Sequence, residues 1–213
     1  MVARGAARLN DACRAIADAG AIAGAFPFDV SDIATTRELI AAQGPFDILV
    51  NAAGLARHGP AFETREAGFD TVTSVSIKAA YFAAQAVAQG LIAAGRPRSI
   101  IQISSQMGHV GGVDRAVYCA TKHAVEGMTK AMAMEWGPYG IRANTICPTF
   151  ILTPLTQATL ENPERRAWIE SKIRLGRVGE VEDIMGAVLF LASDASALVT
   201  GTALRIDGGW TAG

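Results

Sequence analysis

The chain has 213 residues, half of them hydrophobic, and a formal net charge of −1 at pH 7. This length suffices for one substantial hydrophobic core and is short for two, which predicts a single domain over residues 1–213. A nearly neutral chain has no general electrostatic attraction to nucleic acid or to an anionic membrane surface, so neither is expected as a partner.

The three cysteines are an odd number, with no Cys-x-x-Cys spacing and no histidine nearby in a ligand pattern. They predict neither a disulfide framework nor a zinc site, and no metal is expected. Reduced thiols fit a cytoplasmic protein. Charged residues interrupt the alanines of the amino-terminal segment, which therefore lacks the apolar core of a secretory signal. The alanine-rich run from Ala79 to Ala94 is too short and too polar to span a bilayer.

Strand-like and helix-like segments alternate along the chain, which is typical of a parallel sheet with helices on both faces. Strands are predicted at Ala23 to Val30, Asp47 to Val50, Ser99 to Ser104, Ile141 to Cys147 and Thr202 to Ile206. Helices are predicted from Ser31 or Asp32 to Gln43, and at Phe69 to Ala94, Arg115 to Trp136, Pro163 to Ile173 and Glu180 to Leu191.

The segment from Thr149 to Arg177 departs from this alternation. It contains Pro154 and Pro163 and follows the predicted strand that ends at Cys147. In open α/β sheets, ligands bind outside the carboxyl ends of the strands, and insertions at this place carry function. We therefore expect residues 149–177 to form an insertion that covers the substrate.

Tyr118 and Lys122 lie four residues apart in a predicted helix and therefore share one face of it. An ammonium group beside a phenol favours the ionised phenol, so Lys122 is expected to lower the pKa of Tyr118. A phenol adjusted in this way can transfer protons near neutral pH. Taken alone, the pattern also fits a solvated lysine one turn from a half-buried tyrosine.

Further motifs occur in a fixed order around this pair. They are Asn51-Ala52-Ala53-Gly54 after an apolar run, Ser104-Ser105 after Ile100 to Ile103, Pro148 after Ile141 to Cys147, and Asp207-Gly208-Gly209 near the end. With Tyr118 and Lys122, they resemble the short-chain dehydrogenase/reductase family over essentially the whole chain. The resemblance implies an α/β, Rossmann-like, doubly wound and mostly parallel sheet. It also implies hydride transfer between NAD or NADP and a secondary alcohol or ketone.

The resemblance assigns catalytic roles to four residues. Tyr118 corresponds to the general acid/base, and Lys122 to the residue that acidifies it and holds the nicotinamide ribose. Ser105, thirteen positions before the tyrosine, corresponds to the hydrogen-bond donor for the substrate oxygen. Ser76 stands where the family has an asparagine. Because a hydroxyl cannot replace both the donor and the acceptor of an amide, an altered proton relay is expected.

The resemblance also places the cofactor. Asp29 and Val30 correspond to the position that meets the adenine, although Asp29 also fits a carboxylate at the entry of a helix. Arg4 lies where a cation favours the 2′-phosphate of NADP, with no acidic residue nearby to compete, although a solvated surface arginine fits as well. The other cofactor-binding positions implied are Asn51, Ala52, Ala53, Gly54, Tyr118, Lys122, Pro148, Thr149 and Thr153.

Members of the family begin with a strand, a glycine-rich turn and a helix, and this chain resembles a form truncated at the amino terminus. Met1 to Ala3 resembles the end of the second family strand, and Arg8 to Ala19 the helix after it. The absent strand would lie between Met1 to Ala3 and Asp47 to Val50, where unpaired backbone groups are expected. Three explanations stay open: a natural start before Met1, strands that re-pair, or association with another chain.

The loop that carries Gln106, His109 and Arg115 favours a polyol or sugar acid over a 3-oxoacyl thioester as the substrate. A hypothesis of a different class is a non-catalytic subunit that has lost dinucleotide binding. Family members form dimers and tetramers, and the small-residue helix at Ala79 to Ala94 and the apolar tail ending at Trp210 fit a homo-oligomer. A small-molecule substrate and a cytoplasmic location complete these expectations.

Overall fold

The computed structural model describes all residues from 1 to 213. The strands are β1 (Val2–Ala3), β2 (Phe26–Pro27), β3 (Ile48–Asn51), β4 (Ser99–Ile103), β5 (Arg142–Pro148) and β6 (Ala203–Ile206). The α-helices are α1 (Ala6–Asp18), α2 (Ile33–Gln43), α3 (Glu66–Thr73), α4 (Ala80–Ala94), α5 (Ala116–Trp136), α6 (Gln157–Leu160), α7 (Pro163–Lys172) and α8 (Val181–Ala192). A π-helical turn, Ser74–Ala79, joins α3 to α4.

The strands form two sheets in which every pairing is parallel. One sheet has the order β3-β4-β5-β6, and β1 pairs with β2 in the other. The predicted strand from Ala23 to Val30 is wrong in length, since only Phe26 and Pro27 pair. Its partner β1 offers two residues, and the ring of Pro27 has no N–H to donate to a neighbouring strand.

Helices cover both faces of the four-stranded sheet. Ile100 and Ile101 are adjacent in β4, so their side chains point to opposite faces, and both are fully buried. Ile100 packs with residues of α4 and α5, whereas Ile101 packs with Ala187 and Leu191 of α8. This arrangement confirms the predicted α/β, Rossmann-like, doubly wound fold.

One edge of β3 has no strand beside it. β3 pairs only with β4, and β1 pairs only with β2, so hydrogen-bonded strands do not join the two sheets. The side chains of Ile48 and Val50 consequently remain 42 % exposed. The expectation that the strands re-pair within the chain is therefore wrong.

The helix that runs from Glu66 to Ala94 is long and apolar enough to cross a membrane, a test that core helices of globular domains also pass. Val87 and Leu91 are buried in a core cluster with Ile100 of β4. This helix therefore contributes one face to the core of the fold. The expectation that no membrane is a partner stays a prediction.

The insertion at residues 149–177 has a hydrophobic cluster of its own. Its buried members are Phe150, Leu160, Ile169, Ile173 and Val178. Trp210 from the carboxyl-terminal tail stacks on Phe150, with ring centroids 5.9 Å apart, and meets Trp168 edge to face. Contacts within the chain thus account for the apolar tail that the sequence associates with oligomerisation.

Candidate active site

The residues implied by the sequence motifs gather at one edge of the four-stranded sheet. Asn51 ends β3, Ser105 follows β4 and Pro148 ends β5. Because these neighbouring strands are parallel, their carboxyl ends lie side by side. Helix α5 crosses behind this edge with Tyr118 and Lys122 near its amino-terminal end.

Tyr118 and Lys122 lie on the same side of α5, as the spacing predicts. The Lys122 Nζ is 5.7 Å from the centroid of the Tyr118 ring and donates a hydrogen bond of 2.9 Å to the backbone carbonyl of Ile103. Lys122 is buried, with 5 % of its surface exposed. The lysine therefore ties the helix to the last residue of β4 and is not a solvated surface lysine.

The net shift of the Tyr118 pKa is upward, opposite to the direction expected from Lys122 alone. Burial raises the pKa of Tyr118, and the Ser105 hydroxyl and the Arg115 guanidinium oppose that shift. Burial also lowers the pKa of Lys122 to about 8, against the charges of Cys147 and Glu126. Desolvation of both groups thus outweighs the attraction that their spacing suggests.

The Ser105 hydroxyl is oriented by the backbone beside it. Its oxygen accepts a hydrogen bond of 3.1 Å from the Met107 amide at the start of a short 3₁₀ turn. The O–H proton is therefore free to be donated to another oxygen. Since Ser105 also acts on the pKa of Tyr118, the two hydroxyls converge on one place, as the resemblance implies.

The Ser76 hydroxyl is hydrogen-bonded to the backbone after Gly54. It accepts from the Leu55 amide at 3.2 Å and donates to the Leu55 carbonyl at 3.3 Å. Ser76 lies in the π-helical turn, a feature often found at functional sites. Both hydrogen bonds hold the segment after Gly54, and the altered proton relay stays a prediction.

The turn after β3 is fixed by the side chain of Asn51. Its Nδ2 donates to Gln102 Oε1 at 2.7 Å, and its Oδ1 accepts from the Ala53 amide at 3.2 Å. A Cβ atom on Gly54 would lie 3.8 Å from the Lys122 Nζ, so the backbone here runs close to the buried ammonium. Ala52, Ala53 and Gly54 thus form a small-residue surface beside Lys122.

The three remaining positions that the resemblance assigns to the cofactor lie at or after the end of β5. The Thr149 hydroxyl oxygen, next to Pro148, is buried and has no hydrogen-bond partner. The Thr153 hydroxyl lies 3.2 Å from that of Thr156. Thr153 also lines a cavity of about 650 Å³ within the insertion, with Leu152, Pro154, Gln157, Leu160, Glu161, Pro163 and Arg166.

The adenine end of the predicted site has a different arrangement from the one expected. Asp29 Oδ1 accepts hydrogen bonds from the amide and the hydroxyl of Ser31, at 2.9 and 2.8 Å, and these bonds lower the pKa of Asp29. Its Oδ2 lies 3.7 Å from Arg4 Nη1. The expectation that no acidic residue competes for Arg4 is therefore wrong, because the β1–β2 pairing brings Asp29 beside it. Val30 follows Asp29 in the same loop.

Two side chains that the sequence motifs do not assign to catalysis flank Tyr118. The His58 ring meets the Tyr118 ring edge to face, with centroids 5.9 Å apart. Arg115 Nη1 lies 2.9 Å from His58 Nε2, and the guanidinium stacks over Phe150 at 5.2 Å from its centroid. The sequence had associated Arg115 with the loop that favours a polyol or sugar acid, whereas His58 carried no sequence signal.

Comparison with known proteins identifies the family to which the chain belongs. A family profile described as enoyl-(acyl carrier protein) reductase matches residues 1–211. L-xylulose reductase from Bos taurus is 40 % identical over 184 residues, which cover 86 % of this chain and 75 % of that protein. The chain belongs to the short-chain dehydrogenase/reductase family. The predicted family is confirmed, as is the class of oxidoreductase that acts on CH–OH groups with NAD or NADP.

Other short-chain dehydrogenases/reductases similar to this chain act on sugar acids by name. The 2-dehydro-3-deoxy-D-gluconate 5-dehydrogenase of Escherichia coli (strain K12) is 41 % identical over 173 residues, covering 81 % of this chain and 68 % of that protein. The structure of a gluconate 5-dehydrogenase from Burkholderia cenocepacia J2315, in complex with NADP and tartrate, superposes with a TM-score of 0.94 at 34 % identity. The superposition covers all of this chain and 85 % of the chain of that dehydrogenase.

Lys122→Met tests the burial of the ammonium group. The pKa of Lys122 falls from 10.5 in the unfolded chain to about 8 in the folded protein, so the charge destabilises the folded state below pH 8. This penalty disappears above pH 10.5, where the lysine is neutral in the folded and the unfolded chain alike. We therefore expect the stability of the variant relative to the parent protein to be about 1–3 kcal/mol greater at pH 7 than at pH 10.5. Urea unfolding at a series of pH values measures this difference.

Lys130→Met is the matched control, since Lys130 lies exposed on the same helix. It should leave the pH dependence of stability as it is in the parent protein. A stability difference between Lys122→Met and the parent that stays constant from pH 7 to pH 10.5 would contradict the burial penalty.

Proposed function

We propose that this enzyme interconverts a secondary alcohol and a ketone on a sugar acid. The observation that carries the proposal is the Arg115 guanidinium, which is half-buried beside Tyr118 and makes no ion pair with any carboxylate. An unpaired guanidinium next to the general acid is suited to bind a substrate carboxylate in a bidentate manner. The sugar-acid dehydrogenases among the relatives support this substrate class.

The chemistry of the site follows from Ser105 and Tyr118. The Ser105 hydroxyl donates a hydrogen bond to the substrate oxygen and holds it beside the phenol. Because burial raises the pKa of Tyr118, the phenol is protonated near neutral pH and can donate its proton to a ketone oxygen during reduction. In the direction of oxidation, the phenol first loses its proton to solvent, and the phenolate oxygen then takes the proton from the alcohol.

The residues present fit the nicotinamide half of NAD or NADP, which accepts or supplies the hydride when bound. The buried Thr149 hydroxyl lacks a partner and is available to a ligand. Lys122 uses one donor on Ile103 and has two more for hydroxyl groups of a ribose. The absence of a side chain at Gly54 allows a ligand to approach the backbone beside Lys122. Asp29 and Val30 are the candidates for the adenine end.

Arg115→Gln tests the carboxylate contact. Because a hydrogen bond to a charged group contributes about 1.5–3 kcal/mol, kcat/KM for an aldonate such as gluconate should fall roughly 10- to 100-fold. The kcat/KM for the matched alditol, which has no carboxylate, should change much less. The measurement is the initial rate of NADPH formation with each substrate.

Arg174→Gln controls for the loss of a cation, because Arg174 is exposed and remote in sequence from α5. Equal losses on the aldonate and the alditol would assign Arg115 a structural role and contradict the proposal. A 3-oxoacyl thioester serves as a third substrate, and a higher kcat/KM for it would favour the alternative reductase. The non-catalytic alternative predicts no saturable quenching of protein fluorescence by NADPH, whereas the proposed enzyme requires it.

We also propose that residues 1–213 act as one domain in a cytoplasmic homo-oligomer, a dimer or a tetramer, with the insertion at 149–177 covering the substrate. The contact between Arg115 and Phe150 of the insertion supports the last point, and three free cysteines fit a reducing compartment. Helix α8 exposes an apolar stripe at Val181, Met185 and Leu189, which recur every four residues.

The stripe on α8 yields a test of the oligomer. Leu189→Glu places a charge on the 66 %-exposed leucine and should shift the molar mass in light scattering toward the monomer. Leu198→Glu, at a fully exposed leucine outside the stripe, should not. A parent protein that is monomeric at all concentrations would contradict the proposal.

A further inference from the structure

A second group of reactive side chains lies behind the active site and takes no part in the proposed chemistry. His109 comes from the loop after β4, Glu126 from α5 and Cys147 from β5. Their ligand atoms all lie within 4.8 Å of one another, and Glu126 and Cys147 are buried. The residues are 17 and 21 positions apart along the chain, which is why spacing alone predicted no metal site.

The spacing of this group is close to that of a metal site. His109 Nε2 lies 3.3 Å from Cys147 Sγ and 3.7 Å from Glu126 Oε2, and Cys147 Sγ lies 3.2 Å from the other carboxylate oxygen, Glu126 Oε1. A tetrahedral zinc ion with bonds of ~2.3 Å to sulfur and ~2.0–2.2 Å to nitrogen and oxygen holds its ligand atoms roughly 3.3–3.7 Å apart. One oxygen of Glu126 faces each of the other two donors, so a small adjustment of the carboxylate brings all three residues onto one ion.

A fourth polar group faces the same place. The Ser104 hydroxyl is 4 % exposed and has no oxygen or nitrogen partner. Its one polar neighbour is the Cys147 thiol, a weak hydrogen-bond partner. A Cβ atom on Gly108 would lie 3.2 Å from this hydroxyl and 3.0 Å from Glu126 Cγ, so glycine leaves the space between them open. A buried hydroxyl with only a thiol beside it favours a stronger partner, and a metal-bound water supplies one.

We propose that His109, Glu126 and Cys147 bind a divalent transition metal of the zinc class, with the fourth position open to water held by Ser104. Thiolate and imidazole ligands select such an ion over Mg²⁺ and Ca²⁺, which prefer oxygen ligands. The His109 side chain, 21 % exposed, lies on the path from solvent to the buried pair.

Metal binding displaces the proton of the Cys147 thiol. The Cys147 thiol donates a hydrogen bond of 3.2 Å to Glu126 Oε1, so the sulfur carries a proton that must leave when a metal binds. On binding, the S–H bond breaks, the sulfur electron pair forms the bond to the metal, and the proton leaves to solvent. Thr145 Oγ1 donates to Glu126 Oε2 at 2.9 Å and keeps the carboxylate oriented, as an outer hydrogen bond does at metal sites.

The test titrates chelator-treated protein with Co²⁺ alone, because Co²⁺ reports its ligands by absorption. We expect one equivalent to produce a thiolate-to-cobalt charge-transfer band in the near ultraviolet and the intense visible bands of a four-coordinate ion. One equivalent of Zn²⁺ should then displace it. Zn²⁺ should also raise the melting temperature of the parent protein, since the ion binds the folded state.

Substitutions of the proposed ligands test which side chains bind the metal. Cys147→Ser should abolish the charge-transfer band, and His109→Ala, at the least buried ligand, should weaken Co²⁺ binding at least tenfold while the protein stays folded. The double variant Cys13→Ser with Cys119→Ser removes the other two thiols and should leave the spectrum unchanged. Absence of the band in the parent protein, or its persistence in folded Cys147→Ser or His109→Ala at undiminished affinity, would overturn the proposal.

Discussion

The hydrogen bond from the Lys122 ammonium to the Ile103 carbonyl is the contact on which the site depends. It joins α5 to the last residue of β4, and Ser105 lies two residues further along the chain. Tyr118, one turn before Lys122, is thereby held beside Ser105. This bond and the interaction between the Ser105 and Tyr118 hydroxyls together hold the helix against the strand end at the sheet edge.

The same contact carries an electrostatic penalty. Lys122 is desolvated strongly enough to lower its pKa to about 8, and the nearby Cys147 and Glu126 offset only part of that effect. Burial of this kind is tolerated at functional sites, where perturbed ionisation serves the chemistry. The active site and the proposed metal site are thus linked through α5, because Lys122 and Glu126 lie one helical turn apart and face adjoining polar groups.

The sequence predicts those parts of the site that depend on local motifs and on parallel strands. Asn51 to Gly54 and Ser105 each follow a strand, and parallel pairing alone brings them together. The sequence does not predict which residues meet in long-range contacts. The hydroxyl of Ser76 binds Leu55, 21 residues away, and Arg4 meets Asp29 only because β1 pairs with β2.

The direction of the Tyr118 pKa shift was also beyond the sequence. Spacing on a helix predicts which charges are near, but the extent of burial depends on what the other elements cover, and here burial dominates. The sequence did not predict the proposed metal site for a related reason. Its three ligands come from a loop, a helix and a strand, so no spacing pattern marks them, and only the packing of α5 on β5 brings them together.

The central claim is that Tyr118 delivers the proton in this chain, and Tyr118→Phe measures it most directly. Single-turnover reduction of a keto sugar acid, at saturating NADPH for each protein, should slow by about 10²- to 10⁴-fold when the phenolic hydroxyl is removed. A Phe variant that reduces the ketone within a few-fold of the parent rate would show that the proton comes from elsewhere.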